Sequence, residues 1–235
     1  MKKVYSIAGI PMSIEYKYSY TQKMFEKYEY LGNDSAKAEI SVSSLELDYE
    51  LSKMPNEPLF YLENLAVLRK IIKVLLFDYN AMLFHGSSVM VNGKAYLFTA
   101  PSGTGKSTHT ALLKEYLGDK LTYINDDKPI LKVEGESVVV YGSPWNGKHC
   151  LGDNISAPLD AICLIVRSKE NFVEKVEPFN FLKFLFEQTM GFNDEETAEK
   201  VLEILSVIMG KIKFYKVHCN TDISAGKCSF EGIML

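Results

Sequence analysis

The chain has 235 residues, 47% apolar and 12% aromatic, which suffices for a sizeable core and excludes a disordered polypeptide. Its 26 basic and 30 acidic residues give a formal net charge of −4, which argues against a broad nucleic-acid or membrane-surface patch. No apolar run reaches the ~18 residues needed to span a bilayer. The opening Met1-Lys2-Lys3 looks like a signal n-region, but the apolar stretch after it is short and broken by Ser6, Gly9 and Pro11, so no cleavable signal is expected. Cys150, Cys163, Cys219 and Cys228 form no C-x-x-C pair and no zinc spacing, so a reduced, cytoplasmic protein with structural thiols is expected.

Residues 3–16 and 37–49 are rich in Tyr, Ile and Val with partial alternation and read as strands. Between them, Tyr20–Tyr30 reads as either helix or strand. From about Pro58 to Tyr79, Leu62, Leu65, Ala66, Ile72, Leu75 and Leu76 fall at helical spacing and predict a helix with a buried face. Two apolar runs, Met82–Val91 and Lys94–Ala100, flank Asn92-Gly93, a hairpin turn because both residues accept positive φ. A helix follows over Lys106–Leu117 with Gly118 at its C-terminus. Leu121–Ile124, Lys128–Val133 and Ser137–Tyr141 read as strands, residues 142–158 as a loop, and Leu159–Val166 as a nearly all-apolar central strand. Pro178 opens a helix to Met190, stopped by Gly191. Asn193, with Glu196 as its capping-box partner, opens another that stops at Gly210. Ile212–Cys219 is a late strand, and the tail from Asp222 a short helix. The expected fold is α/β, a mixed β-sheet with flanking helices and a small N-terminal β-rich portion. The boundaries are an N-terminal α+β portion at 1–80 and a main domain at 81–235, with a single domain over 1–235 as the alternative.

The most informative motif is Ala100-Pro101-Ser102-Gly103-Thr104-Gly105-Lys106-Ser107, which fits [AG]-x4-G-K-[ST]. Glycines let the backbone curl so that successive N–H groups point at phosphate oxygens, and the helix that follows adds its dipole. Ser102 to Thr108 would cradle the phosphates of ATP or GTP, with Lys106 on the β- and γ-phosphates and Ser107 ligating Mg²⁺. Such a loop needs a carboxylate for the metal. Asp126-Asp127 lies about 20 residues on, where one helix and one strand return the chain to the same sheet edge. One of the two would serve Mg²⁺ and the other accept a proton; taken alone, Asp-Asp before Lys-Pro reads as a solvated turn, and the phosphate loop tips the reading to function. His85-Gly86 ends an apolar run and reads as a core histidine, and His109 as a surface or packing residue. The loop Ser143-Pro144-Trp145-Asn146-Gly147-Lys148-His149 has two readings: a packed loop anchored by Trp145, or a substrate-facing loop whose Lys148 stabilises charge on the transferred phosphoryl group.

Phe84-His85-Gly86, a short hairpin, Ser102–Ser107 and Asp126-Asp127, in that order, resemble the catalytic domain of HPr kinase/phosphorylase. The Ser-Gly-Thr-Gly-Lys loop also resembles ATP-dependent phosphoenolpyruvate carboxykinase, which shares that fold. The sequence looks most like the small HPr-kinase-like proteins of bacterial genomes, which include the lasso-peptide kinases that phosphorylate a precursor peptide on serine. The resemblance spans residues 80–215, with specific motifs in 84–127. It implies a kinase that passes the γ-phosphoryl group of ATP or GTP to a serine of a protein or peptide, with Asp126 as general base, His85 beside it and Asp127 on the metal. The charge balance leads to no expectation of a nucleic-acid or membrane partner, and homo-oligomer formation stays open. The family's downstream E-[IV]-R-G signature, tied to its phosphorylase chemistry, is absent, and Pro144–Lys148 stands in that stretch. A carboxykinase would want more arginine than Arg69 and Arg167 supply. The competing readings are a small-molecule phosphotransferase or carboxykinase relative, and a non-catalytic nucleotide-binding module.

Overall fold

The computed structural model describes residues 1–190 and 194–235. The chain forms two compact units, Met1–Tyr79 and Asn80–Leu235. Among the described residues no helix is long and apolar enough to cross a membrane. All four cysteines are free thiols, Cys163 and Cys219 buried and Cys150 exposed.

In the first unit, β1 (Lys2–Ile7) and β2 (Ile10–Glu15) pair antiparallel, and β3 (Ala38–Ile40) joins β2 in parallel. The segment left open over Tyr20–Tyr30 is helical: α1 (Ser19–Met24), then a 3-10 turn at Glu26–Tyr28. The strand expected over 37–49 stops at Ile40, and α2 (Ser44–Lys53) takes its second half. The cause is a capping box. Ser43 Oγ accepts from Glu46 N at 3.3 Å, and Glu46 Oε2 accepts from Ser43 N at 2.8 Å. With α3 (Leu59–Tyr79), helices outweigh strands in this unit, against the β-rich expectation. The carboxylate of Glu63 on α3 is buried and accepts from Lys17 N (2.6 Å), Tyr18 N (3.1 Å) and Thr21 Oγ1 (3.3 Å), which satisfies donors at the start of α1.

Among the described residues, the second unit is built on nine strands. β4 (Ala81–Leu83), β8 (Ile130–Glu134), β9 (Ser137–Tyr141) and the first residues of β10 (Ser156–Arg167) make one antiparallel run. The rest of β10 pairs in parallel with β6 (Lys94–Thr99) and β12 (Lys213–Cys219), past an irregularity between Leu159 and Ala161. On the far side of β6 lie β5 (Ser87–Val91) and then β7 (Leu121–Asn125), both pairings antiparallel, and β11 (Phe172–Lys175) edges β12. The result is a curled mixed sheet. The predicted run Met82–Val91 is two strands, because β4 pairs with β8 at one end of the sheet and β5 sits between β6 and β7 at the other, and residues 84–86 cross between them. Asn92 and Gly93 turn the β5–β6 hairpin with φ of 51° and 75°, as expected.

α4 (Lys106–Leu117) has the predicted bounds and packs Leu113 and Leu117 against Val89, Phe98, Cys163 and Val217 of the sheet, beside α7 (Ser224–Ser229). α6 (Glu195–Lys211) lays Val201, Ile204, Leu205 and Ile208 over the antiparallel run. Its cap is Asp194, whose Oδ1 accepts from Thr197 N at 2.8 Å. The stop at Gly191 and the cap at Asn193 lie outside the described residues. The helix expected over Pro178–Met190 is a 3-10 turn at Pro178–Phe181 and then α5 (Leu182–Glu187). It ends early because the backbone past it pairs elsewhere: His85 N donates to Gln188 O (2.7 Å) and Met190 N to Leu83 O (3.1 Å).

His109, expected as a surface or packing residue, is buried inside α4's inner face with Nε2 2.9 Å from Ser229 Oγ. Burial pushes its imidazole down to about 4. An unfolded chain takes up that proton near pH 6.5, while the native state resists it, so stability falls as pH drops from about 6.5 towards 4. The loss should reach about 3 kcal/mol at the acid end. His109→Gln should remove that component from urea unfolding measured at pH 7 and pH 4.5. An unchanged pH slope in the variant would disprove the assignment.

Candidate functional site

β7, β10 and β12 run in the same direction as β6, so their C-terminal ends, with the start of the antiparallel β5, share one edge. That edge gathers the Gly-rich loop after β6, Asp126-Asp127 after β7, His85 before β5 and Arg167 at the end of β10. This is the crevice where α/β sheets bind ligands.

The loop is curled as its sequence requires. Gly103 and Gly105 take φ of 74° and 125°, a region other residues enter only with strain, and Thr104 N donates to Pro101 O at 3.2 Å. No side chain caps α4, so its first N–H groups remain available to an anion. Lys106 folds back to donate to Ala100 O at 3.0 Å. Burial lowers the Lys106 ammonium below its ordinary value, and Asp127 opposes that shift. Ser102, Gly103, Ser107 and Thr108 are exposed.

Asn125 organises the carboxylates. Its Oδ1 accepts from Asp127 N (2.9 Å) and Lys128 N (2.6 Å). Its Nδ2 donates to Ser143 O (3.1 Å) and Asn146 Oδ1 (3.1 Å), so one buried side chain fixes both the turn after β7 and the loop over 142–155. Ser143 Oγ closes the arrangement by donating to Lys128 O at 2.5 Å. Asp126 is 6% exposed, and its Oδ1 accepts from Gly147 N at 2.7 Å. A Cβ at Gly147 would stand 3.1 Å from Asp126 Oδ2, so a larger residue there would press on this carboxylate.

Asp127 has different company. Lys128 Nζ pairs with its Oδ2, and His85 Nε2 lies 3.5 Å from its Oδ1. The expectation that His85 sits against Asp126 is thereby corrected: the crossover at residues 84–86 sets Gly86 N on Asp127 O (3.0 Å) and brings the imidazole to Asp127. Burial, with Lys106 and Lys128, lowers the His85 imidazole below its ordinary value, while Asp127 pulls the other way. Among the described residues no lysine, arginine or histidine comes within ion-pair distance of Asp126. Lys148 is exposed and takes part in no ion pair among the described residues, and the cation beside the carboxylates is Lys128. Trp145 is buried and anchors the loop, and its backbone N–H donates to Ser143 Oγ at 3.2 Å.

Sequence reasoning missed Asn125, Lys128, Ser143 and Arg167. An Asn directly before Asp-Asp at a strand end was a signal for a side chain that bonds the backbone two and three residues on. Arg167 had none: its Nε donates to Thr104 O (2.9 Å) and its NH2 to Gly103 O (2.5 Å), across 63 and 64 residues of sequence. Holding these carbonyls outward favours the inward aim of the loop's N–H groups. Arg167→Ala should therefore weaken binding of both a nucleotide and bare tripolyphosphate by about fivefold, read by calorimetry. Unchanged affinity for both would show that the loop keeps its shape without this clamp.

Among the described residues no three His, Cys, Asp or Glu side chains cluster as a metal cage. The donors present, Ser107 Oγ and the Asp127 carboxylate, are hard oxygens. They fit Mg²⁺, which is commonly held by one or two protein oxygens together with substrate phosphates and water.

No protein-family model matches the chain, and no curated protein sequence matches it. Among solved structures it is similar to the HPr(Ser) kinase/phosphatase from Coxiella burnetii, with 11% identity and a TM-score of 0.30, covering 40% of this chain and 71% of that one.

Proposed function

We propose that the protein is a nucleoside-triphosphate-dependent phosphotransferase that passes the γ-phosphoryl group of ATP or GTP to a serine hydroxyl of a protein or peptide. The observation that carries the reading is the meeting, at one sheet edge, of a curled Gly-rich loop bearing Lys106 with two carboxylates in unlike surroundings. The serine acceptor rests on the order of the motifs from Phe84 to Asp127 in the sequence.

The loop's N–H groups and the start of α4 hold the phosphates, and Lys106 leaves Ala100 O to neutralise charge between the β- and γ-positions. Ser107 and Asp127 would hold Mg²⁺, which when bound shields the phosphate oxygens. A carboxylate whose charge acts on Lys106 of the loop suits the metal, whereas a buried carboxylate with one neutral N–H donor suits a proton acceptor. Asp126 therefore takes the proton from the attacking hydroxyl, with Gly147 N fixing the orientation of its other oxygen. His85 and Lys128 hold Asp127 in position.

Binding is the first test. Mg-ATP or Mg-GTP at ~100 times its Kd should stabilise the protein by about 2.7 kcal/mol in a thermal unfolding experiment. The second is transfer of labelled γ-phosphate to candidate serine peptides and small alcohols. A folded sample that shows no shift with either nucleotide at millimolar concentration would rule the reading out.

A further inference from the structure

The carboxylates and the other end of the loop lie on opposite sides of β6. The strand order β7-β5-β6-β10 puts Asp126 and Asp127 on the β5 side and the end of β10 on the other. A triphosphate lying across the loop with its γ-end at Lys106 and Asp127 carries its nucleoside end towards β10. There the structure has a groove of about 460 Å³, in the range of small-molecule sites. One wall is the phosphate loop itself, Pro101 to Thr104, and the other is Leu164 to Arg167 with Phe184 of α5. Leu164, Val166 and Phe184 are each only half-buried, so apolar surface stands open directly beside the loop.

We propose that this groove receives the purine base of the nucleotide, held by contact with Phe184, Leu164 and Val166. The inference rests on the phosphate-loop reading and adds to it the place and selectivity of the base. The side chains lining the groove from Leu164, Val166 and Phe184 carry no hydrogen-bonding group, and the Arg167 guanidinium is turned to the loop, with Nε and one NH2 nitrogen on the Thr104 and Gly103 carbonyls. The remaining lining side-chain hydroxyls, on Ser102 and Thr104, belong to the loop. Among the described residues no carboxylate or amide side chain lines the groove to read the edge that distinguishes adenine from guanine, so both are accepted.

Affinities of the full-length protein for Mg-ATP, Mg-GTP and magnesium tripolyphosphate test this directly. ATP and GTP should bind within about threefold of each other, and tripolyphosphate at least about tenfold more weakly, the magnitude of one base–aromatic contact. Phe184→Leu keeps the apolar volume and removes the ring face. It should weaken ATP and GTP about fivefold and leave tripolyphosphate unchanged. In the wild type, 8-azido-ATP should photolabel peptides containing residues 164–167 or Phe184, a readout independent of any variant. Tripolyphosphate as tight as ATP, labelling confined to other peptides, or Phe184→Leu without effect on either nucleotide would overturn the base site and leave the loop reading intact. A preference above about thirtyfold for one purine would overturn the base tolerance. Absence of binding by all three ligands would overturn the loop reading and this proposal with it.

Discussion

Asp126→Asn should lower kcat by ~10²–10⁴ while leaving nucleotide affinity nearly unchanged, because the general base acts only once the acceptor hydroxyl attacks. The substitution keeps the acceptor oxygen that receives Gly147 N and removes the site for the proton, so the loop over 142–155 should remain in place. Asp127→Asn should act differently. It removes the charge that faces Lys128, His85 and Lys106, so its main effect should be a higher Mg²⁺ requirement and weaker nucleotide binding. The two variants are best compared by kcat on a serine peptide and by nucleotide affinity at several Mg²⁺ concentrations. Full turnover by Asp126→Asn would exclude it as the base. If the two phenotypes are exchanged, Asp127 is the proton acceptor, with His85 at 3.5 Å as its partner.

The parts of this site legible in the sequence are those set by local chemistry. The Gly-rich loop, the bounds of α4 and the Asn92-Gly93 hairpin depend on residues within a few positions of one another, and each lies where the pattern put it. The long helix α3 was legible for the same reason, since its period is carried by its own side chains. What failed was decided at a distance or by a short competing signal. The first run of strand residues broke at 84–86 because its two halves pair in different parts of the sheet, and that break carries His85 to Asp127 rather than Asp126. α2 replaced a strand because four residues, Ser43 to Glu46, close a capping box inside a segment whose apolar spacing suits either state. Lys128 was hidden inside good turn chemistry. Arg167, set at the end of an apolar strand, gave no hint of the carbonyls it grips.

Lys106→Ala should abolish most nucleotide-dependent stabilisation, the ~2.7 kcal/mol expected near saturation falling to a small fraction at the same ligand concentration. The reason is geometric as well as electrostatic. Lys106 opens α4 and folds over the curled loop onto Ala100 O, so its ammonium lies where the proposed reading brings the phosphates in. Burial already disfavours that charge, and an incoming triphosphate would supply a far stronger partner than the single carbonyl it now holds. The apo protein should lose little, because one hydrogen bond to a carbonyl contributes about 1 kcal/mol and a half-buried ammonium carries its own desolvation cost. Lys106→Ala should thus unfold near the wild-type temperature without nucleotide and separate from it only when Mg-ATP is added. A variant destabilised equally with and without nucleotide would make Lys106 a structural residue, and one that keeps the full shift would place the phosphates away from this loop.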